Sequence, residues 1–62
     1  MKEKEVANTI ENKVGCFCTI SSTAKALSLD RHLLGRMVFD AGVTPAVGKK
    51  YWFEDMAKAI CQ

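Results

Sequence analysis

One segment constrains this chain more than any other: Gly42-Val43-Thr44-Pro45-Ala46-Val47-Gly48-Lys49-Lys50-Tyr51-Trp52-Phe53. Gly42 suits the left-handed residue that closes a helix, and Pro45, which has no amide hydrogen, prevents that helix from resuming. Val47-Gly48-Lys49-Lys50 has the composition of a hairpin turn, and Tyr51-Trp52-Phe53 that of the returning strand, with Tyr51 and Phe53 on one face and Trp52 on the other. Helices are thereby confined to the two sides of one β unit. The fold class expected is mainly α with a small β-hairpin.

Size narrows the choice further, because a chain of 62 residues buries only about 60% of the surface its unfolded form exposes and holds a single core. A hydrophobic content of 48% with 26% charged residues is that of a folded globular chain. No apolar run approaches the roughly 18 residues of a membrane span, and Met1-Lys2-Glu3-Lys4-Glu5 is too acidic and polar for a secretory signal, so a cytoplasmic location is expected. Three cysteines in such a chain imply reduced thiols rather than a disulfide framework. Cys16, Cys18, His32 and Cys61 add up to four zinc-type ligands, but their spacing fits no finger, and the expectation is no metal, no cofactor, and thiols packed as small hydrophobes.

Residues 1–15 read as an amphipathic N-terminal helix with Val6, Ile10 and Val14 at i, i+4 and i+8, closed by Gly15. So narrow a stripe must rest on the rest of the domain or on a second subunit. Cys16 to Ile20 reads as a brief strand or extended lead-in. Ser21 or Ser22 is then expected to cap a helix that reaches Leu27, with Ile20 as its hydrophobic staple. Ser28-Leu29-Asp30 breaks the pattern, and Asp30 caps the next helix, Arg31 to about Ala41. There Leu34, Met37, Val38 and Ala41 fall on the core face and His32, Gly35, Arg36 and Phe39 on the opposite one. Phe39 is expected to pack against the N-terminal helix or the 43–53 segment, the alternative being a protein contact surface, and Trp52 to be half-buried core rather than a nucleic-acid stacking platform. A last helix over 54–61 starts with Glu54 and Asp55, which complement its positive end, and turns Met56, Ala59 and Ile60 inward.

Thr19-Ile20-Ser21-Ser22-Thr23-Ala24-Lys25-Ala26-Leu27-Ser28-Leu29-Asp30-Arg31, followed by the Gly42–Phe53 segment and Glu54-Asp55-Met56, resembles the winged helix-turn-helix domains of the excisionase and mercury-resistance-regulator (MerR-like) group. The N-terminal domain of small terminase subunits of lambda-type phages is a similar case. The resemblance covers about residues 19–60. It implies a helix-turn-helix over 19–42, a wing over 43–53, and a small phage or mobile-element protein acting in transcription, recombination or DNA packaging. The chain departs from the pattern at Ser28, where such domains often carry glycine, and in its extra N-terminal helix; no C-terminal coiled coil or ligand-sensing half is expected.

In such a domain the second helix enters the major groove while the first crosses the backbone. Arg36, mid-helix on the outward face, is the expected base reader, and Arg31 and His32 are the other candidates on that helix. Lys49 and Lys50 at the wing tip and Lys25 on the first helix are expected phosphate contacts, joined by Ser21, Ser22 and Thr23 at a helix N-terminus. Net charge is only +2, but its distribution favours this reading. Residues 1–20 are neutral, whereas from residue 21 six bases (Lys25, Arg31, Arg36, Lys49, Lys50, Lys58) face four acids (Asp30, Asp40, Glu54, Asp55).

Blander roles exist for the same residues. A Lys-Lys turn is also a solubilising one, and Arg36 stands at i+4 from Asp40, a pairing worth about 0.3–0.5 kcal/mol. Catalysis is not expected: the chain has one histidine, no phosphate-binding glycine loop and too little length to enclose a small-molecule substrate. The expected partner is double-stranded DNA, with a homodimer or partner protein supplying further contacts, and no membrane. The alternative is an adaptor whose outward helix face docks on protein.

Overall fold

The structure is a computed structural model that describes residues 2–61. Four helices and two short strands follow in the order α1 (Glu3–Lys13), β1 (Phe17–Cys18), α2 (Ile20–Leu27), α3 (Arg31–Asp40), β2 (Tyr51–Trp52) and α4 (Phe53–Cys61). The architecture is mainly helical with one two-stranded antiparallel sheet. None of the described helices is long and apolar enough to cross a membrane.

The first helix finds its counterpart within the chain. Val6, Ala7 and Ile10 are buried, and α1 packs chiefly against α4, whose buried face is Met56, Ala57 and Ala59. Three of those six side chains are alanines, which lets the two helix backbones approach closely. Val6, Ile10 and Met56, fully enclosed, contribute about 1.5–3 kcal/mol each by leaving water. Leu34 and Val38 of α3, Ala24 of α2 and Cys18 of β1 complete the same core.

Helix ends follow local chemistry, with corrections to the sequence reading. α2 is capped by Thr19, whose hydroxyl accepts from the Ser22 amide at 3.1 Å; neither Ser21 nor Ser22 caps it, and Ile20 is its first helical residue instead of a staple outside it. The shift by one or two residues has a clear cause: half-buried Ile20 packs in, under Gly35 of α3, so the hydroxyl preceding it becomes the cap. Asp30 does occupy the cap position of α3, but its side chain makes no capping bond. Gly15 follows α1 at φ +125°, a positive angle outside the left-handed helical well of about +57°.

Two helices end in the same way. At α3, Gly42 (φ +72°) donates to the Phe39 carbonyl at 3.1 Å and Val43 to Val38 at 3.3 Å. At α2, Leu29 donates to Ala24 at 2.8 Å and Ser28 to Lys25 at 3.4 Å, with Ser28 at φ +57°. Both are Schellman endings, and in the second a serine holds the left-handed position that glycine fills without strain.

The sheet is built differently from the hairpin that the sequence implies. Val47-Gly48-Lys49-Lys50 does turn, closed by Lys50 N–H donating to the Val47 carbonyl at 2.8 Å. Gly48 at φ +55° is the first central residue, and Lys49 is not at positive φ, the pattern of a type II′ turn. Beyond the single Val47–Lys50 bridge, however, 43–46 forms no strand, and β2 pairs with β1 in the register Phe17 with Trp52 and Cys18 with Tyr51. Pro45 has no N–H to give, so the incoming arm cannot extend the ladder. Phe53 leaves the strand to open α4, its amide donating to the Cys16 carbonyl at 2.9 Å.

Candidate nucleic-acid interface

Of the candidate DNA-contacting residues, Ser21, Ser22, Lys25, Arg31, His32, Arg36, Lys49 and Lys50 are all exposed. Thr23 is not. Its side chain is fully buried, because Thr23 lies on the same face of α2 as Ala24 and half-buried Leu27, and among the described residues Oγ1 has no hydrogen-bond partner. It is a core residue and is withdrawn from the site.

α2 is the element around which the exposed candidates gather. On one side of its first turn, Thr19, Ile20 and Ser21 face Pro45, Lys49 and Tyr51 across a groove of about 450 Å³. The sheet explains the approach: β2 continues directly from the 47–50 turn, and its ladder to β1 draws that turn toward the entry of α2. On the other side, Ser22, Lys25 and Ala26 share a more open groove with Lys13 and Val14 from the end of α1. Lys13 is a residue the sequence reading did not select, and its Nζ donates to the Ala26 carbonyl at 3.4 Å.

Arg31, His32 and Arg36 stand on α3 and line neither groove. With Leu34 and Val38 buried, the exposed arc of α3 runs through His32, Leu33, Arg36, Phe39 and Asp40, and Arg36 sits at its middle. Gly35 is off this arc. It is half-buried against α2, where a Cβ would lie 3.9 Å from Ile20 Cδ1. Phe39 overturns the packing expected of it: it is 83% exposed, and Leu33, at the other edge of the exposed arc, is 52% exposed. α1 is held against α4 and the 47–50 turn against the start of α2, so neither reaches the outer face of α3.

Trp52 is half-buried, as expected. Its ring stands edge-on to Phe17 at a centroid distance of 5.4 Å and lies 4.8 Å from Phe53, and its Nε1 donates to Glu54 Oε1 at 3.0 Å. The indole is therefore used to tie β1, β2 and the start of α4 together.

The cysteines are free and differ in exposure: Cys16 exposed, Cys18 buried, Cys61 half-buried. Among the described residues no group of three or more histidine, cysteine or carboxylate side chains is placed to hold a metal ion. Burial pushes the Cys18 thiol above its ordinary pKa, and the nearby Thr23 hydroxyl offsets part of that rise without reaching hydrogen-bond geometry. The Cys18 Sγ donates to the Tyr51 carbonyl at 3.5 Å. Compared with protein-family models, curated proteins and solved structures, the chain has no significant match.

Proposed function

We propose that the chain is a winged helix-turn-helix protein that binds double-stranded DNA without catalysis, as a regulator or an architectural factor. α2 and α3 form the helix-turn-helix, the 47–50 turn is the tip of the wing, and α1 is an added helix. The observation that carries this reading is Arg36: an arginine at the centre of the exposed arc of α3, on the helix that would enter the major groove. A guanidinium there pairs in bidentate fashion with the O6/N7 edge of guanine, a contact worth about 1–3 kcal/mol of discrimination. Arg31 and His32 extend the same surface, while Lys25, Lys49, Lys50, Ser21 and Ser22 hold the phosphate backbone and fix register.

The test is binding to a random-sequence duplex across a salt series, for the wild type and an Arg36→Ala/Lys49→Ala/Lys50→Ala variant. The expected result is a wild-type affinity that falls linearly in log K against log salt and a triple variant that binds at least tenfold more weakly at low salt. Wild-type affinity in the triple variant sinks the reading.

One observation favours a second reading. Phe39 and Leu33 put apolar surface at the two edges of the exposed arc of α3, which suits a protein partner. In that case the chain is an adaptor, its binding is nearly insensitive to salt, and Phe39→Ala abolishes it.

A further inference from the structure

α2 carries Lys25 on its outward side, and each of its flanks meets a lysine from a different element. Ser21 turns toward the groove lined by Lys49, and Ser22 toward the groove lined by Lys13. Among the described residues no carboxylate lines either groove. Two of the three carboxylates of the N-terminal helix, Glu3 and Glu11, share a third groove with Glu54, between α1 and α4, where Lys4 is the one basic residue among the described lining. α1 thus presents Glu3 and Glu11 beside α4 and its last lysine, Lys13, beside α2.

We propose that Lys13, Lys25 and Lys49 form one continuous basic band across α2 that holds the phosphate backbone of duplex DNA, with Lys13 as a DNA-contacting residue contributed by the N-terminal helix. The inference rests on the DNA-binding reading given above and extends it to a helix whose stripe alone would make it a scaffold. An ammonium group has three donors, and the single long bond to the Ala26 carbonyl occupies one of them. That carbonyl lies at the negative end of α2 and holds Nζ over the groove, so the residue is positioned before any phosphate arrives. A lysine on each side of Lys25 lets the backbone be gripped along its course past α2, whereas Lys25 alone would make one point contact.

A structural role for Lys13, as a partner for the last carbonyls of α2, predicts a different outcome, and the salt dependence separates the two. The experiment measures binding to a random-sequence duplex over a salt series for the wild type, Lys13→Gln, Lys13→Arg and Lys13→Gln/Lys25→Gln, with thermal unfolding of each. The expected result is a log K against log salt slope reduced by about one in Lys13→Gln and about two in the double variant, since each phosphate contact accounts for about 0.9, with Lys13→Arg restoring the wild-type slope. A lowered melting temperature with an unchanged slope in Lys13→Gln overturns the proposal and leaves Lys13 as a helix-end partner. In that event the Arg36→Ala/Lys49→Ala/Lys50→Ala variant still loses affinity, so the wider reading survives. Absence of wild-type binding at low salt overturns both.

Discussion

Phe17 and Trp52, one from each strand, meet edge to face at 5.4 Å and 65°, on a ladder only two residues long. So short a ladder has little hydrogen bonding to sustain it, and the ring pair supplies about 0.5–1.5 kcal/mol beyond area burial. Phe17→Ala is expected to lower stability by about 1 kcal/mol in chemical denaturation and to broaden or shift the amide resonances of 47–52. Stability equal to wild type would show that the sheet stands without the pair.

Thr23 buries a hydroxyl that makes no hydrogen bond among the described residues, although the Cys18 thiol lies near it. An unsatisfied buried polar group costs about 1–3 kcal/mol, and valine matches the shape of threonine without it. Thr23→Val should therefore raise stability by about 1 kcal/mol, or several degrees in melting temperature for a domain of this size. A drop on substitution would mean that the hydroxyl is satisfied in solution.

Ser28 holds a left-handed backbone at φ +57° that costs a non-glycine residue about 1 kcal/mol. Gly35, in the interior of α3, has the reverse mismatch, and an added Cβ would meet Ile20 only at ordinary contact distance, 3.9 Å. Ser28→Gly and Gly35→Ala should each stabilise the fold, by about 0.5–1 kcal/mol. The two gains are checked by urea midpoints at constant slope.

The Cys18 thiol is raised by burial, so above the unfolded-state pKa the unfolded chain has lost a proton that the folded chain keeps. The stability this group confers is complete below the ordinary thiol pKa of about 8.5 and declines as pH rises through the higher folded value. Urea midpoints should thus fall more steeply above about pH 8.5 in the wild type than in Cys18→Ala. Parallel profiles would remove Cys18 as the cause.

Phe39 stands 83% exposed, so its truncation removes almost no packing. Phe39→Ala should leave stability within about 0.5 kcal/mol of wild type. A loss of 2 kcal/mol would place the ring against the domain after all.

What was legible in the sequence is what depends on near neighbours in the chain. The Val6 and Ile10 stripe, the start of α3 after Asp30 and its closure at Gly42 follow from helical spacing and end chemistry, and all three stand in the structure. The cap of α2 was ambiguous because Thr19, Ser21 and Ser22 are all competent, and burial of Ile20 decides among them. Thr23 could have been placed correctly, since it is at i+4 from Leu27 and so shares its inward face. Other features are set by distant residues. Nothing local reveals that Tyr51–Trp52 pairs with Phe17–Cys18, that Lys13 meets Lys25 in one groove, or that no element covers Phe39.

The pairing of β2 with β1 also carries a consequence for the order in which the molecule becomes rigid. A turn flanked by its own two strands sets itself locally, within its own sequence. Here the strand that leaves the turn is steadied by a segment on the far side of α2 and α3, so both helices must first be in place for the two strands to meet. Amide exchange should then find 17–18 and 47–52 opening together as one unit, and the basic tip of the turn will be as ordered as the packing of α2 and α3 that brings the two strands together.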